Sequence, residues 1–461
     1  MTRQIRLNGF IGFSPVHLSP GLWAHPRNRS LDYNSLEHWV ELARLLERGK
    51  FDALFIADSI GLPDVYGGSA EAALRAGTQV PKNDPLLLVA ALAHATRHLG
   101  FGITASTSHE LPAVLARRFS TLDHFTQGRI GWNIVTGYSD SGAKAVGRAG
   151  VIAHDARYDR ADEFLEVVYK LWEGSWQDGA VVRDRESGVF ADPDKVHPVR
   201  HQGAHFELET IHLTEPSPQR TPYLFQAGAS PRGRAFAARH AEAVFVGGPT
   251  AASVAPLVRD LRARAAAEGR DPRDIAVFAL ATAIVAPTRA EAEAKRAEYA
   301  AYADPEGVLA LLSSWTGIDL AKVDRDAPLA STPLPDNAVQ SVLTGFAGSD
   351  ARPWTLREVI DHAAIGGRGP VFVGSPADVA DAFEAFVAES DVDGFNLSYA
   401  VLPETFADVV DLLVPELQRR GLYKQDYALG TLRAKLSGTD GLKATHPGVA
   451  YRARDRIVPA A

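Results

Sequence analysis

The chain has 461 residues, of which 46% are hydrophobic and 23% charged, with a formal net charge of −8. That balance suits one large or two ordinary α/β domains and argues against nucleic acid or an anionic membrane as the main partner. There is no Cys and the single Met is Met1, which excludes disulfides, thiolate metal ligands and cysteine nucleophiles together.

No apolar run approaches the roughly 20 residues that span a bilayer, and the N-terminus lacks a signal-peptide pattern, so the expectation is a cytoplasmic protein. Gln4 to Gly12 predicts a first strand, and Tyr33 to Gly49 an amphipathic helix. FDALFIAD, ending on Asp58, is apolar enough for a parallel strand buried on both faces. Pro85 to His98 predicts a helix, LGFGITASTS a third strand, Pro112 to Phe125 a helix and GRIGWNIVT a fourth strand. About twenty loop residues then precede a helix that Asp155 is expected to cap, with Phe164, Leu165, Val168, Leu171 and Trp172 at helical spacing. A connection of that length points to function.

From about 174 to 221 the rhythm breaks into an excursion. PYLFQAG resumes it as a strand, with Ser230 as N-cap and Pro231 at the first helical position of the next helix. Glu242 to Gly247 is a strand, Ala251 to Glu268 a helix, Ile275 to Val285 a strand and Arg289 to Tyr302 a helix. Residues from about 304 to 370 form a second excursion; Pro376 to Glu389, Gly394 to Tyr399 and Glu404 to Arg420 then give helix, strand and helix. Eight strands, starting near 5, 53, 100, 129, 222, 243, 275 and 394, each followed by a helix, predict an α/β fold, a (β/α)8 TIM barrel with long insertions. A doubly wound sheet would need a G-x-G-x-x-G at its first helix, which is missing. The whole chain, 1–461, is expected to be one barrel domain, its tail from about 421 wrapping the surface or a neighbouring subunit.

In such a barrel, reactive groups collect at the carboxyl ends of the strands. Those ends deliver Ser14 and His17, Asp58, Thr104 and Ser106, Asn133 and Thr136, and Gln226, Gly228 and Ser230. The set is polar, nearly uncharged and short of bases. With no paired carboxylates, H-E-x-x-H or G-x-S-x-G, it points to a site whose hard chemistry a cofactor supplies, and no catalytic side chain is assigned. Two helix starts are candidate phosphate cradles, one beside His154 and Tyr158, the other at Ser230. Each residue also has a plain structural reading: Ser230 as a cap, Tyr158 as packing, Asp58 as a loop residue, Thr104 as barrel filler. His197, His201 and His205 lack the spacing of metal ligands, so no metal is expected.

The segments LERGKFDALFIAD, RRFSTLDHFTQGRIGWNIVT, HDARYDRADEFLEVVYKLWEGSW, EPSPQRTP and QAGASPRGRAFAA resemble the two-component flavin-dependent monooxygenases of the bacterial luciferase-like superfamily. The resemblance is to the nitrilotriacetate, dibenzothiophene-sulfone and long-chain alkane group. DVYGGSAEAALR, YADPEGVLALLSSWTGIDLAKVD, IGGRGPVFVG, DGFNLSYAV and THPGVAYR look most like dimethyl sulfide monooxygenases. The resemblance implies a luciferase-like barrel that binds FMN as FMNH2 and uses O2 as co-substrate. It also implies an NADH-dependent flavin reductase as partner and a homo-oligomer, dimer or tetramer.

Carried over residue by residue, the group's flavin positions fall on Asp58, Thr104, His154, Tyr158 and Ser230, with Asn133 added at the ring edge. Ser230 and Tyr158 would hold the phosphate, while Asp58 and Thr104 lie nearer the ring. His17, Gln79 and Tyr138 are left as substrate-pocket residues. The chain departs from the group at Ser14, where relatives have Cys, and at Pro63; Tyr138 and Leu311 stand where the alkane enzymes have His. The implied reaction inserts one oxygen atom into a small apolar or organosulfur substrate, dimethyl sulfide-like. The alternatives are a long-chain alkane or sulfone monooxygenase, a deazaflavin-dependent oxidoreductase and a non-catalytic flavin-binding barrel. The insertion from Asp304 to Pro370, with Trp315 and Trp354, is the candidate lid.

Overall fold

Strands β1 (Arg6–Gly12), β2 (Ala53–Ala57), β3 (Gly100–Ser106), β4 (Ile130–Val135), β5 (Tyr223–Gln226), β6 (Ala243–Val246), β7 (Ala276–Val285) and β8 (Gly394–Ser398) pair in parallel and in chain order. β8 returns to β1, Asn396 opposite Asn8, and closes the barrel. This computed structural model describes residues 4–228, 230–328 and 354–453. The closed (β/α)8 barrel is the fold the sequence predicts, and each strand begins within one residue of its expected start.

Three features were not foreseen. A ninth strand, Val371–Gly374, pairs with Thr282 to Val285 of β7. β7 spans ten residues and outruns its barrel neighbours, so the added strand covers an edge that would otherwise be bare. The first excursion folds into two antiparallel hairpins, Val181–Asp184 with Val189–Ala191 and Val199–Gln202 with Glu207–Thr210. The tail closes the amino-terminal mouth of its own barrel: Leu432 and Leu436, on the helix Leu432–Ser437, pack with Tyr223 and Phe225. Arg433 beside them is fully buried, its Nε 2.7 Å from Glu242 Oε1 and its Nη2 donating to the carbonyls of Thr221 and Pro222.

Above that plug, inward-facing aromatic rings fill the barrel. Phe55 meets Phe245 at 4.2 Å and Phe225 stacks on Phe245 at 5.5 Å between centroids. Glycine on the neighbouring strands makes room, since a Cβ on Gly102 would lie 2.3 Å from the Phe55 ring and one on Gly131 2.5 Å from the Phe225 ring. A layer this dense leaves space for a ligand only at the carboxyl ends of the strands.

Candidate active site

That end opens into a cavity of about 1270 Å³, lined by His17, Asp58, Gln79, Thr104, Asn133, Tyr138, His154, Tyr158 and Ser230. All nine positions singled out in the sequence therefore meet in one space.

Parallel pairing sets Thr104 of β3 opposite Asn133 of β4. Asn133 Nδ2 donates to Thr104 Oγ1 (2.9 Å), and Thr104 Oγ1 donates to the Ile56 carbonyl (3.0 Å). Asn133 Oδ1 is buried with no partner. An acceptor left unpaired is costly unless an occupant of the cavity supplies a donor.

The helix His154–Gly174 starts after Ala153, which offers no side-chain cap. This corrects the expected Asp155 cap: Asp155 lies inside the first turn, its Oδ1 2.7 Å from His154 Nδ1. The helix therefore begins two residues earlier than an Asp155 cap would place it, and its N-cap offers no side-chain acceptor to its first N–H groups, the arrangement that receives an anion. Ser230 does cap the helix Pro231–His240, Oγ accepting from Gly233 N at 3.0 Å. The Tyr158 hydroxyl faces Ser230 and Gln226, and burial raises its pKa. A Cβ on Gly228 or Gly233 would stand 2.9 or 2.7 Å from Tyr158 Oη, so glycine at these two positions keeps the cradle open.

Sequence reasoning missed Arg157. It is 3% exposed, its Nη1 donates to the Ile152 carbonyl at 3.1 Å, and its Nε is unpartnered. Arg232 is spent on Asp159 and Asp162, whereas Arg157 lines the cavity with positive charge to spare. Its position next to Tyr158 in HDARYD was the available signal.

Elsewhere burial moves titratable groups away from charge. His17 is lowered to about 3 by burial and by the positive Lys82, and its ring stands edge-on to Phe10 at 4.5 Å. Asp58 is raised to about 6 by burial, against the pull of Lys82. Lys82, itself lowered by burial, donates to the Ser59 carbonyl at 3.3 Å. Gln79 Nε2 donates to the His17 carbonyl (3.1 Å), and Tyr138, raised by burial, faces Ser314. Phe10, Leu18, Leu280 and Trp315 form one apolar stretch of the wall, and Leu311 packs behind Leu18 and Leu280. Trp354 packs instead with Leu309, Leu312 and Val359, away from the cavity; positions 329–353 of the candidate lid lie outside the described residues. His197 and His201 bond to Gln177 and Glu163.

Residues 10–393 match the family described as luciferase-like monooxygenase. The chain belongs to that family. This luciferase-like monooxygenase is 50% identical to the dimethyl-sulfide monooxygenase of Hyphomicrobium sulfonivorans, over 98% of this chain and 94% of that protein. It is 45% identical to the long-chain alkane monooxygenase of Geobacillus thermodenitrificans (strain NG80-2), over 99% of each. The crystal structure of riboflavin lyase RcaE with modified FMN and riboflavin is similar at a TM-score of 0.91 and 38% identity, covering 98% of this chain and 100% of that one. Among its described residues, no helix of the monooxygenase is long and apolar enough to cross a membrane.

Proposed function

We propose that this monooxygenase is the oxygenase component of a two-component system. It takes FMNH2 and O2 and inserts one oxygen atom into a small, uncharged organosulfur substrate resembling dimethyl sulfide. One observation carries the reading: a single cavity joins the Tyr158–Ser230 cradle, the Thr104–Asn133 pair and an apolar wall. At about 1270 Å³ it exceeds the roughly 300–1,000 Å³ of ordinary ligand pockets, enough for a nucleotide cofactor with a small substrate beside it.

The residues fit FMN. Ser230, Tyr158, Arg157 and the open helix start hold the phosphate, and the orphaned Asn133 Oδ1 accepts from an N–H at the edge of the ring. The bound reduced flavin supplies the electrons that activate O2. The chain's own task is to bind, orient and keep water out, and the aromatic layer with the tail plug beneath it seals the cavity floor. His17, kept neutral, offers no acidic proton at the substrate end, and Phe10, Leu18, Leu280 and Trp315 favour an apolar guest. A separate NADH-dependent reductase supplies FMNH2. The protein works in the cytoplasm as one barrel domain over 1–461, assembled as a dimer or tetramer.

The test is turnover of purified protein with FMNH2 and ¹⁸O2 in the presence of dimethyl sulfide, dibenzothiophene sulfone or hexadecane. One labelled oxygen per molecule of product from dimethyl sulfide supports the proposal. Oxygen consumption with no labelled product from any of the three refutes it.

A further inference from the structure

Arg368 reaches the cavity from the side away from Asp58. Gly366 and Gly367 before it have positive φ, and a Cβ on Gly369 after it would lie 2.5 Å from the Leu280 carbonyl oxygen. The segment therefore lies flat on β7, tied there by Thr282 N donating to the Pro370 carbonyl at 2.9 Å. From that anchor the guanidinium extends past the end of β6, where a Cβ on Gly247 would be 2.6 Å from its Nε. Arg368 and Asn396 share the cavity wall, and Asn396 Oδ1 is buried without a partner.

Among the described residues, no hydrogen bond or ion pair engages the Arg368 side chain; burial is the only influence on its titration. A guanidinium does not give up its proton in a protein, so this one stays charged at the cavity wall. Half-buried there, it is a fixed positive charge that an anionic occupant of the cavity would meet. Of the other cations nearby, Lys82 faces Asp58 and Arg232 is paired, while Arg157, also without a carboxylate partner, stands at the phosphate cradle.

A thioether carries no charge, so on the reading proposed above the counter-charge lies on the cofactor. Reduced flavin loses its N1 proton near neutral pH and spreads the negative charge over N1 and the C2 oxygen, two adjacent acceptors that match the planar fork of a guanidinium. We propose that Arg368, with Asn396 beside it, binds the anionic N1–C2 edge of reduced flavin and makes the site select reduced over oxidised FMN. This inference rests on the flavin reading, and the test separates the two.

Dissociation constants for FMN and, anaerobically, for FMNH2 are measured on the full chain and its Arg368→Met, Arg368→Lys and Ser230→Ala variants. The midpoint potential of bound flavin is measured alongside. In Arg368→Met, affinity for FMNH2 falls at least tenfold and affinity for FMN less than twofold. Each tenfold of selectivity lost lowers the potential of this two-electron couple by about 30 mV. Arg368→Lys recovers most of the selectivity, and Ser230→Ala weakens both redox forms alike. Equal losses for FMN and FMNH2 in Arg368→Met, or none, overturn the assignment while leaving the flavin reading intact. Parental flavin affinities with weakened binding of methanesulfonate would put a substrate anion there and overturn it too. If the parent binds neither redox form, the flavin reading fails and this inference with it.

Discussion

Removing one oxygen atom from the cradle tests the site with little disturbance to the fold. Tyr158 is 6% exposed, its ring 5.5 Å from Phe236 and 5.2 Å from His154, and Tyr158→Phe keeps both contacts. The hydroxyl's side-chain hydrogen-bond partners are Ser230 and Gln226, so the fold loses at most two neutral hydrogen bonds, about 1 kcal/mol each. A hydrogen bond to the phosphate is worth about 1.5–3 kcal/mol, which at about 1.4 kcal/mol per tenfold weakens FMN binding roughly 10- to 150-fold. Ser230→Ala removes a phosphate contact and the N-cap together, so it also destabilises the fold by about 1 kcal/mol. The two losses do not add in the double variant, because both groups act on one phosphate. Fluorescence titrations with FMN and riboflavin, run side by side, separate the effects. Riboflavin lacks the phosphate, so its affinity in Tyr158→Phe equals the parent's. An unchanged FMN affinity, or an equal loss for riboflavin, would show that the phosphate does not lie at Tyr158.

Arg157→Met should weaken FMN at least tenfold and leave riboflavin unchanged, by the same titration; equal losses would move the phosphate elsewhere. Asp58 has its carboxyl raised from 3.8 to about 6 by burial, so its stabilising contribution is complete below about pH 4 and lost as the pH rises through 6. Its ionisation at pH 8 costs at most about 3 kcal/mol, so Asp58→Asn raises Tm at pH 8, and thermal melts should show the gain vanishing by pH 4. Arg433→Met leaves Glu242 charged and buried and should cost about 3–5 kcal/mol in chemical denaturation. Adding Glu242→Gln should recover part of that loss, and a double variant no more stable than Arg433→Met would refute the pairing.

The barrel was legible because a parallel strand buried on both faces writes itself as an apolar run. ALFIA of β2 and AVFALATAIV of β7 are such runs, and their spacing by helices leaves little choice of fold. The strand VFVG was not legible, since it exists only because β7 overhangs its neighbours, which no local pattern records. Asp155 misled because an acid ahead of a helical stretch has the chemistry of a cap, while the helix starts one residue before it. TLRAKLS in the tail looks like solvated surface, yet Arg433 is buried. The partner that makes this possible is Glu242, 191 positions away in the chain. The nine site positions came from strand ends and from resemblance; Arg157 and Arg368 did not, because an arginine counts as surface until its surroundings are known.

The distribution of charge in the cavity follows a single rule. The titratable groups His17, Lys82 and Asp58 are each shifted by burial toward their neutral forms. Among the described lining residues, the arginines without a carboxylate partner are Arg157 and Arg368, whose guanidiniums burial cannot neutralise. One stands beside the cradle and the other over β6 and β7, the two places where the proposed cofactor presents its phosphate and its reduced ring. On the proposed reading, His17 in its neutral form would donate no acidic proton to an oxygen species formed at the substrate end, which would favour oxygen transfer over loss to protonation. Fixed cations for the cofactor and a neutral imidazole at the substrate end are what the proposed oxygenase chemistry asks of this barrel mouth.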